Sequence, residues 1–330
     1  MPQRYRLYAP RDLRRESFDL PPLGPHDVHL RSRLGAISSG TESAWYFGTD
    51  PNLAPGFKPL RFDHPTFPRF LGYEKVAEVV AIGSEVDGVA AGQRVIAPYG
   101  HATEYIWPAD QLAPIPDDIR DEEAVFSTLF NVAAQAIRRS ELQLGDDVFV
   151  TGAGVVGLAC IISARLAGAN RIIVSDRQPA RLALARQFGA DILLNPADED
   201  VAAAIIDRYG PECIDIALEC SSSYEALADT MAVTRRNGKV CVVGQLKGPY
   251  PAHPLFGMDF HLGELTMISS DGGWDIARHA RWFFGAIQRG LIRDLAGLIS
   301  HRVPFGELET GFGYIEHEPG AVTKVVVEYN

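Results

Sequence analysis

The chain has 330 residues, of which 46% are hydrophobic and 22% are charged, and its formal net charge at pH 7 is −11. This composition is that of a globular protein with room for two domains, and it excludes disordered and fibrous classes. The acidic balance excludes nucleic acid and anionic membrane surfaces as main partners, because both require clustered lysine and arginine. The four cysteines form no C-x-x-C pair and indicate reduced thiols. We expect a cytoplasmic protein that acts on a small molecule.

Two patterns alternate along the chain. Residues 1–125 contain short β-like runs separated by proline and glycine turns, and residues 271–330 end in similar runs. In residues 126–270, apolar strand-like runs alternate with helical segments, which is typical of a doubly wound parallel sheet. The sequence therefore predicts an α/β protein in which a dinucleotide-binding domain, 126–270, interrupts a β-rich domain made of 1–125 and 271–330.

A glycine-rich loop lies between an apolar strand and a helix in the predicted dinucleotide-binding domain. Gly152, Gly154 and Gly157 form a G-x-G-x-x-G pattern, and the helix begins at Val155 and Val156. The first glycine allows a tight turn, the second lets the backbone approach a pyrophosphate, and the third lets the helix pack closely on the strand. The helix N-terminus offers free N–H groups to the phosphates. We predict that these five residues bind a dinucleotide.

The choice of dinucleotide depends on two residues that follow the next predicted strand. Asp176 lies 24 residues past Gly152 and is placed to accept hydrogen bonds from the adenosine ribose. A carboxylate at this place repels a 2′-phosphate, so the predicted cofactor is NAD(H). The neighbouring guanidinium of Arg177 is able to hold that phosphate, which keeps NADP(H) as the alternative.

The chain resembles the medium-chain dehydrogenase/reductase superfamily of alcohol and polyol dehydrogenases over nearly all of its length. The resemblance is carried by residues 35–42 (GAISSGTE), 71–83 (LGYEKVAEVVAIG), 152–157 and 298–305 (LISHRVPF). It implies a GroES-like β-barrel catalytic domain interrupted by a Rossmann domain. Short motifs are also similar to those of bacteriochlorophyllide a dehydrogenase and of bacterial glycoside 3-dehydrogenases, which oxidise a secondary alcohol to a ketone. We also expect a homodimer that forms through the Rossmann domain.

The chain departs from this superfamily at the metal ligands of its zinc members. Ser39 stands at the position of a Cys ligand, Tyr73 stands at the His of the G-H-E motif with Glu74 kept, and Ser127 aligns near the third ligand. Serine and tyrosine hydroxyls are poor substitutes for thiolate or imidazole on zinc. The four-cysteine lobe that holds the superfamily's structural zinc is missing just before His101. We therefore expect neither zinc site.

Without zinc, another group must accept the proton of the substrate alcohol. Thr41 matches the hydroxyl that relays this proton in the superfamily, and Tyr73 is a phenol in the former metal position. A phenol with a pKa near 10 needs a nearby cation or the charge of the nicotinamide to act as a base at neutral pH. His101, which we expect near the mouth of the pocket, is the third catalytic candidate. The alternatives are a core aromatic for Tyr73 and a solvated surface group for His101.

Further candidates concern the substrate. Ser39 and Glu74 are expected to line the substrate pocket. Trp45 is either a stacking wall for a flat substrate or a core aromatic. Three other histidines are weaker candidates for a base: His64, His253 and His261.

The resemblance also assigns cofactor contacts outside the glycine loop. Asn131 matches a position that contacts the nicotinamide, and Lys324 matches a basic position that reaches the pyrophosphate. Gly244 follows a predicted strand and is expected to border the nicotinamide.

These observations predict a zinc-independent, NAD(P)-dependent oxidoreductase. Its expected reaction is hydride transfer between the cofactor and a secondary alcohol of a sugar, cyclitol or other polyfunctional substrate. One alternative is a zinc-free reductase of enones or quinones, and another is a non-catalytic protein that binds a dinucleotide.

Overall fold

The structure is a computed structural model that describes residues 1–54, 66–247, 256–272 and 275–329. The chain divides into two compact units. We call Met1–Thr128 with Asp275–Asn330 the outer unit and Leu129–Trp274 the inserted unit. The bounds that the sequence predicts for the inserted domain, 126–270, begin and end slightly earlier.

The strands and helices alternate differently in the two units. In chain order the strands are β1 (Gln3–Ala9), β2 (Asp12–Ser17), β3 (Asp27–Ile37), β4 (Glu74–Ile82), β5 (Arg94–Ile96), β6 (Glu104–Pro108), β7 (Ala113–Pro114), β8 (Asp147–Thr151), β9 (Arg171–Ser175), β10 (Ile192–Leu194), β11 (Ile214–Glu219), β12 (Thr234–Val242), β13 (Thr266–Ser269), β14 (Ile299–Pro304) and β15 (Lys324–Glu328). The helices are α1 (Thr41–Phe47), α2 (Asp121–Ala124), α3 (Ser127–Ser140), α4 (Val155–Ala167), α5 (Pro179–Gln187), α6 (Val201–Tyr209), α7 (Tyr224–Val233), α8 (Met258–Leu262), α9 (Ile276–Gln288) and α10 (Leu308–His317). Within the described ranges, no helix has the length and apolarity that a membrane crossing requires.

A seven-stranded, largely antiparallel sheet forms the outer unit. Its strand order is β14-β15-β3-β4-β5-β7, and β6 also pairs with β3. The long β3 alternates buried and exposed side chains and then becomes wholly buried from Leu34 to Ile37. This pattern fits a strand that has one face on the core and then runs into the interior. The last residues of β3 therefore deliver the chain to the start of α1 from within the core.

The hydrophobic core of the outer unit fixes α1 from one side. The ring of Tyr46 on α1 stacks on Phe312 of α10, with ring centroids 4.2 Å apart. Trp45 belongs to the same buried cluster, together with Leu7 of β1 and Leu71. Offset or stacked aromatic pairs add about 0.5–1.5 kcal/mol beyond the area that they bury. The short helix α1 is thus held by its aromatic residues.

The inserted unit contains a six-stranded parallel sheet. Its order is β10-β9-β8-β11-β12-β13, so β8 and β11 are neighbours in space although two strands lie between them in sequence. The central strands β8, β9 and β11 are almost wholly buried, as expected for a parallel sheet covered by helices on both faces. The predicted doubly wound parallel fold is confirmed. In such sheets, ligands bind at the carboxyl ends of the strands where the strand order reverses, which here lies between β8 and β11.

Candidate functional site

The segment that links β3 to α1 folds into a hydrogen-bonded cap. The Thr41 amide donates to Ser38 Oγ at 3.2 Å, which satisfies one of the free N–H groups at the start of the helix. The Ser38 amide in turn donates to Oε2 of Glu42 at 2.8 Å. Ser38 and Glu42 are buried, whereas Ser39 and Thr41 are exposed. The cap therefore presents two hydroxyls outward and one carboxylate inward.

Tyr73 joins this cap just before β4 begins. Its hydroxyl donates to Ser38 Oγ at 2.7 Å, and a hydrogen bond with the Thr41 side chain also acts on its pKa. The structure thus brings Thr41 and Tyr73 together, as the sequence predicts. It adds Ser38 as their common partner. The sequence analysis missed Ser38 because only Ser39 aligns with a metal-ligand position of the superfamily.

The protonation state of Tyr73 differs from the one that a phenolate base needs. Burial raises its pKa above the ordinary value of 10.0, and the charges of Glu74 and Glu42 raise it further. The two hydrogen bonds with Ser38 and Thr41 lower the pKa by less. We expected a cation to assist ionisation, but carboxylates dominate the surroundings of the phenol. Tyr73 is therefore a neutral phenol at physiological pH, suited to donating or relaying a proton.

A buried ion pair lies beside Tyr73. Glu74 is 0% exposed and Lys324 is 2% exposed, and Lys324 Nζ lies 2.7 Å from Glu74 Oε2. The ammonium also donates to the Ile37 carbonyl at 3.2 Å. Burial raises the pKa of Glu74, and Lys324 opposes this effect. The complete burial of Glu74 corrects the expectation that this carboxylate touches the substrate.

Lys324, the other member of this ion pair, is also buried. Its ammonium is fully engaged with Glu74 and with the end of β3. This burial corrects the expectation that Lys324 contacts a pyrophosphate, because the residue is 2% exposed and its ammonium is already paired in the interior of the outer unit.

His101 is buried and has a partner on each ring nitrogen. It is 1% exposed, Nε2 lies 3.0 Å from Glu42 Oε1, and Nδ1 lies 3.0 Å from the Tyr329 hydroxyl. Burial lowers its pKa, and the Glu42 charge opposes this effect, so the imidazole is neutral at pH 7. This corrects the expectation that His101 lies near a pocket mouth. The imidazole fits in the interior because Gly72 carries no side chain. Gly72 has a φ of +98°, and a Cβ there would stand only 2.9 Å from the imidazole.

A second buried lysine completes this network, and the sequence analysis missed it. Lys75 is 1% exposed, and its ammonium donates to the Tyr329 hydroxyl and lies 3.9 Å from the centre of the Tyr329 ring. Burial lowers the pKa of Lys75 well below its ordinary value, and the Glu42 charge opposes this. Gly35 provides the space, because a Cβ there would stand 2.9 Å from Nζ. The network therefore contains one carboxylate, one imidazole, one phenol and one ammonium.

Trp45 packs as a core aromatic along much of its surface. It is 6% exposed, and its ring meets Phe67 edge-on at 6.4 Å. The guanidinium of Arg69 covers its face, with Cζ 3.3 Å from the ring centre. The core interpretation of Trp45 fits this packing better than a bare stacking wall. Among the weaker histidines, His261 is exposed on α8, and His64 and His253 lie outside the described residues.

The residues at the superfamily's metal position do not suit zinc. Ser39, Tyr73 and Ser127 offer hydroxyls where zinc requires thiolate, imidazole or carboxylate. The one carboxylate, Glu74, already carries the ammonium of Lys324. In the part of the chain that the structure describes, no three His, Cys, Asp or Glu side chains cluster as a metal site. The donor set therefore does not fit a zinc ion.

The glycine loop of the inserted unit has the geometry of a phosphate cradle. It connects the end of β8 at Thr151 to the start of α4 at Val155. Gly152 has a φ of +84°, and a Cβ on Gly157 would collide with the Gly152 carbonyl. A Cβ on Gly154 would meet nothing within 4 Å, so its backbone faces open space. With Val156 in the first turn of α4, these residues leave helix N–H groups open to an anion.

Asp176 is tied to this loop from the end of β9. Its Oδ2 accepts the Ala153 amide and its Oδ1 accepts the Gln178 amide, each at 2.8 Å. Both bonds hold the carboxylate at the edge of the cradle, on the strand next to β8. Arg177 is exposed. The arrangement fits the ribose of a dinucleotide whose pyrophosphate lies on the loop.

Gly244 and Asn131 lie near the carboxyl ends of other strands in the same unit. Asn131 is buried and its side-chain amide donates to the Gly272 carbonyl. A Cβ on Gly244 would stand 3.2 Å from Oε2 of Glu219, a buried acid that the sequence analysis missed. Oε1 of Glu219 accepts the Ser221 amide at 2.8 Å, and burial raises the pKa of the carboxyl. The nicotinamide contacts of Asn131 and Gly244 stay predictions.

Comparisons with known proteins agree with these features. Residues 155–283 match the family model described as zinc-binding dehydrogenase. An L-threonine 3-dehydrogenase of Chelativorans sp. is 30% identical over 95% of this chain and 94% of its own length. The 2R,3R-butanediol dehydrogenase of Bacillus subtilis superposes over 100% of both chains with a TM-score of 0.84 at 25% identity. A zinc-binding dehydrogenase from Sinorhizobium meliloti, solved with NADP, shares the fold with a TM-score of 0.83 at 24% identity over 99% of each chain.

The ion pair of Glu74 with Lys324 leads to a prediction about stability. Glu74→Gln leaves the buried ammonium without its counter-charge, and breaking a buried pair in this way costs about 3–5 kcal/mol in the free energy of unfolding. The double variant Glu74→Gln with Lys324→Met should cost less than the two single changes added together. Urea unfolding at pH 7 measures these differences. Asp12→Asn, which breaks the exposed pair with Arg14, is the control and should change stability little. An equal effect of Glu74→Gln and Asp12→Asn would contradict the prediction.

Proposed function

The chain belongs to the medium-chain dehydrogenase/reductase superfamily, and from that premise we propose that it oxidises a secondary alcohol to a ketone with NAD⁺, or performs the reverse reduction, without zinc. It is an NAD(P)-dependent enzyme of the alcohol dehydrogenase type. The observation that carries the proposal is the glycine cradle with an open Gly154 and with Asp176 fixed at its edge. The substrate that we propose is a sugar, cyclitol or other polyfunctional alcohol.

The inserted unit supplies the residues for the cofactor. The backbone of Gly152, Gly154, Val155 and Val156 would hold the pyrophosphate, and Asp176 would accept a ribose hydroxyl. The bound dinucleotide would supply a nicotinamide ring that exchanges a hydride with the carbinol carbon. Asp176 supports NAD(H) over NADP(H), because a carboxylate that accepts a ribose hydroxyl would repel a 2′-phosphate.

The outer unit supplies the residues for the proton. Thr41 is exposed, and Tyr73 shares its hydrogen-bonding partner Ser38, so a substrate hydroxyl meets two protein hydroxyls at one place. Tyr73 donates its own proton to Ser38 Oγ, which leaves a lone pair of the phenol oxygen to accept a hydrogen bond from the substrate hydroxyl, and the exposed Thr41 hydroxyl would pass the alcohol proton on to solvent water. Thr41 and Tyr73 therefore orient the alcohol and relay its proton, which replaces part of the role of a metal.

Zinc independence is supported by the chemistry of the donors. Ser39 and Tyr73 stand where a thiolate and an imidazole would be needed, and Lys324 occupies the carboxylate of Glu74. An ammonium at 2.7 Å gives this carboxylate the counter-charge that a metal would otherwise provide.

The relatives support a secondary alcohol as substrate. The names L-threonine 3-dehydrogenase and 2R,3R-butanediol dehydrogenase both describe oxidation at a secondary hydroxyl. The homodimer through the inserted unit and the cytoplasmic location stay predictions.

A substrate panel tests the proposal directly. The purified protein is incubated with NAD⁺ or NADP⁺ and polyols, and with NADH or NADPH and quinones or enones, while nicotinamide absorbance is followed. We expect turnover of polyols with NAD⁺, less than one zinc per chain by elemental analysis, and no loss of activity with a chelator. Turnover of quinones or enones alone would favour the alternative reductase function. One zinc per chain with activity lost on chelation would contradict zinc independence.

Asp176→Ser should shift the cofactor preference toward NADP(H). A charge-assisted hydrogen bond contributes about 1.5–3 kcal/mol, so the affinity for NAD⁺ should fall about ten- to a hundredfold. Fluorescence titration with NAD⁺ and NADP⁺ measures both affinities. Asp176→Asn is the matched control, because it keeps the shape and one acceptor oxygen but removes the charge. A wild-type protein that prefers NADP⁺ would show that Arg177 decides the preference.

Tyr73→Phe should lower kcat and leave cofactor affinity nearly unchanged. The variant keeps the ring and removes the relaying hydroxyl, and a positioned proton-transfer group contributes about 10²–10⁴-fold in rate. We expect a loss of at least about tenfold, with an unchanged pH profile below the ordinary phenol pKa of 10.0, because the neutral phenol does not titrate there. Thr41→Val should act in the same direction. Tyr105→Phe, on β6, is the control. Full kcat in Tyr73→Phe would make Tyr73 a core filler.

A further inference from the structure

The segment before Tyr73 holds a cation that the proposed reaction does not use. Building on the proposed function, we propose that the substrate carries an anionic group, a carboxylate or a phosphate, and that Arg69 binds it. The alcohol would thus be oriented by two contacts: its hydroxyl on Thr41 and Tyr73, and its anion on the guanidinium of Arg69.

Arg69 is held rigidly at both its backbone and its side chain. Its amide donates to the Leu7 carbonyl and its carbonyl accepts the Leu7 amide, each at 2.9 Å. Its Cζ lies 3.3 Å from the centre of the Trp45 ring, and Trp45 is itself buried against Phe67. A guanidinium stacked on a fixed indole has lost most of its conformational freedom before any ligand arrives.

The guanidinium lacks the partner that comparable arginines have. Across the described ranges, Arg69 forms no ion pair, and its buried Nε has no hydrogen-bonding partner. Arg94, also partly buried in the outer unit, donates to Asp121 at 2.7 Å. The acid that acts on Arg69 is Asp50, whose Oδ1 already accepts both nitrogens of Asn52. Burial lowers the pKa of Arg69, and the Asp50 charge opposes this effect. The buried Nε without a hydrogen-bonding partner carries a free-energy cost that an anionic ligand would relieve.

The Arg69 guanidinium is connected through Trp45 to the helix that carries the Thr41 hydroxyl. Trp45 lies four residues after Thr41 on α1, so the two side chains share one face of the helix about 6 Å apart along its axis. Arg69 lies four residues before Tyr73 in the segment that leads to β4. Because Arg69 stacks on Trp45, its guanidinium lies about one helical turn along α1 from Thr41, whose side chain hydrogen-bonds Tyr73.

The chemistry of guanidinium narrows the class of ligand. Its planar fork matches the two oxygens of a carboxylate or a phosphate, whereas a neutral polyol offers no charge to pair with. A substrate with a secondary hydroxyl and an anion a few bonds away would satisfy both contacts. Carboxylate and phosphate share this chemistry, and the experiment separates them.

Two matched pairs of substrates test the inference in the intact enzyme with NAD⁺. The first pair is 3-hydroxybutyrate and 1,3-butanediol, and the second is glycerol 3-phosphate and glycerol. Arg69→Met keeps an apolar stem on Trp45 but removes the charge. We expect it to lower kcat/KM about ten- to a hundredfold for one or both anionic members and less than twofold for the neutral ones. Arg69→Lys should rescue only part of the loss. Arg14→Met removes an exposed arginine and is the control.

A binding measurement separates this inference from the proposed function. Acetoacetate or inorganic phosphate should raise the melting temperature of the wild type and not that of Arg69→Met. An equal loss on charged and neutral substrates, or no thermal shift with either anion, would overturn the anion site. If the enzyme turns over none of these alcohols but the anion shift depends on Arg69, the anion site stands and the proposed reaction fails. The anionic substrate whose kcat/KM falls more in Arg69→Met identifies carboxylate or phosphate as the preferred group.

Discussion

The outer unit depends on how its buried charges are compensated. Among the described residues, two lysines and two glutamates are enclosed in its interior. Glu74 pairs with Lys324, and Glu42 contacts His101, which is linked to Lys75 through the Tyr329 hydroxyl. A charge inside a protein is tolerated only when counter-charges and hydrogen bonds replace the water that it loses. The Glu42 carboxylate meets this requirement with the Ser38 amide, and the same bond fixes the cap that carries Thr41. The position of the exposed hydroxyls is therefore set by an electrostatic requirement in the interior.

The inserted unit depends on steric clearance instead of charge. The loop between β8 and α4 closes because Gly152 adopts a positive φ and Gly157 leaves room for the Gly152 carbonyl. Gly154 opens the remaining space. One carboxylate, Asp176, locks the loop through the Ala153 amide. Each unit thus meets a different physical demand: one unit compensates buried charge, and the other leaves free backbone donors for an anion.

This difference decides what the sequence could predict. The parallel sheet, the glycine cradle and Asp176 follow from local patterns, because all the residues of the loop lie close together in the chain. The superfamily assignment is confirmed. It also singled out Thr41 and Tyr73, which the structure brings together and whose catalytic role stays a prediction. The burial of His101 could not be predicted, since its partner Tyr329 lies 228 residues away. Lys75 was missed for the same reason, because its acceptor comes from the far end of the chain.

The arrangement of the last strand has a consequence for how the protein matures. β15 lies between β14 and β3 in the sheet, and it delivers Lys324 to Glu74 across 250 residues of sequence. During synthesis the strands β3 and β4 emerge before β15, and Glu74 then has no counter-charge until Lys324 has left the ribosome. The inserted unit, whose contacts are more local, is able to fold while the outer unit waits. The glycine loop is therefore able to form before the surroundings of Thr41 and Tyr73 are complete.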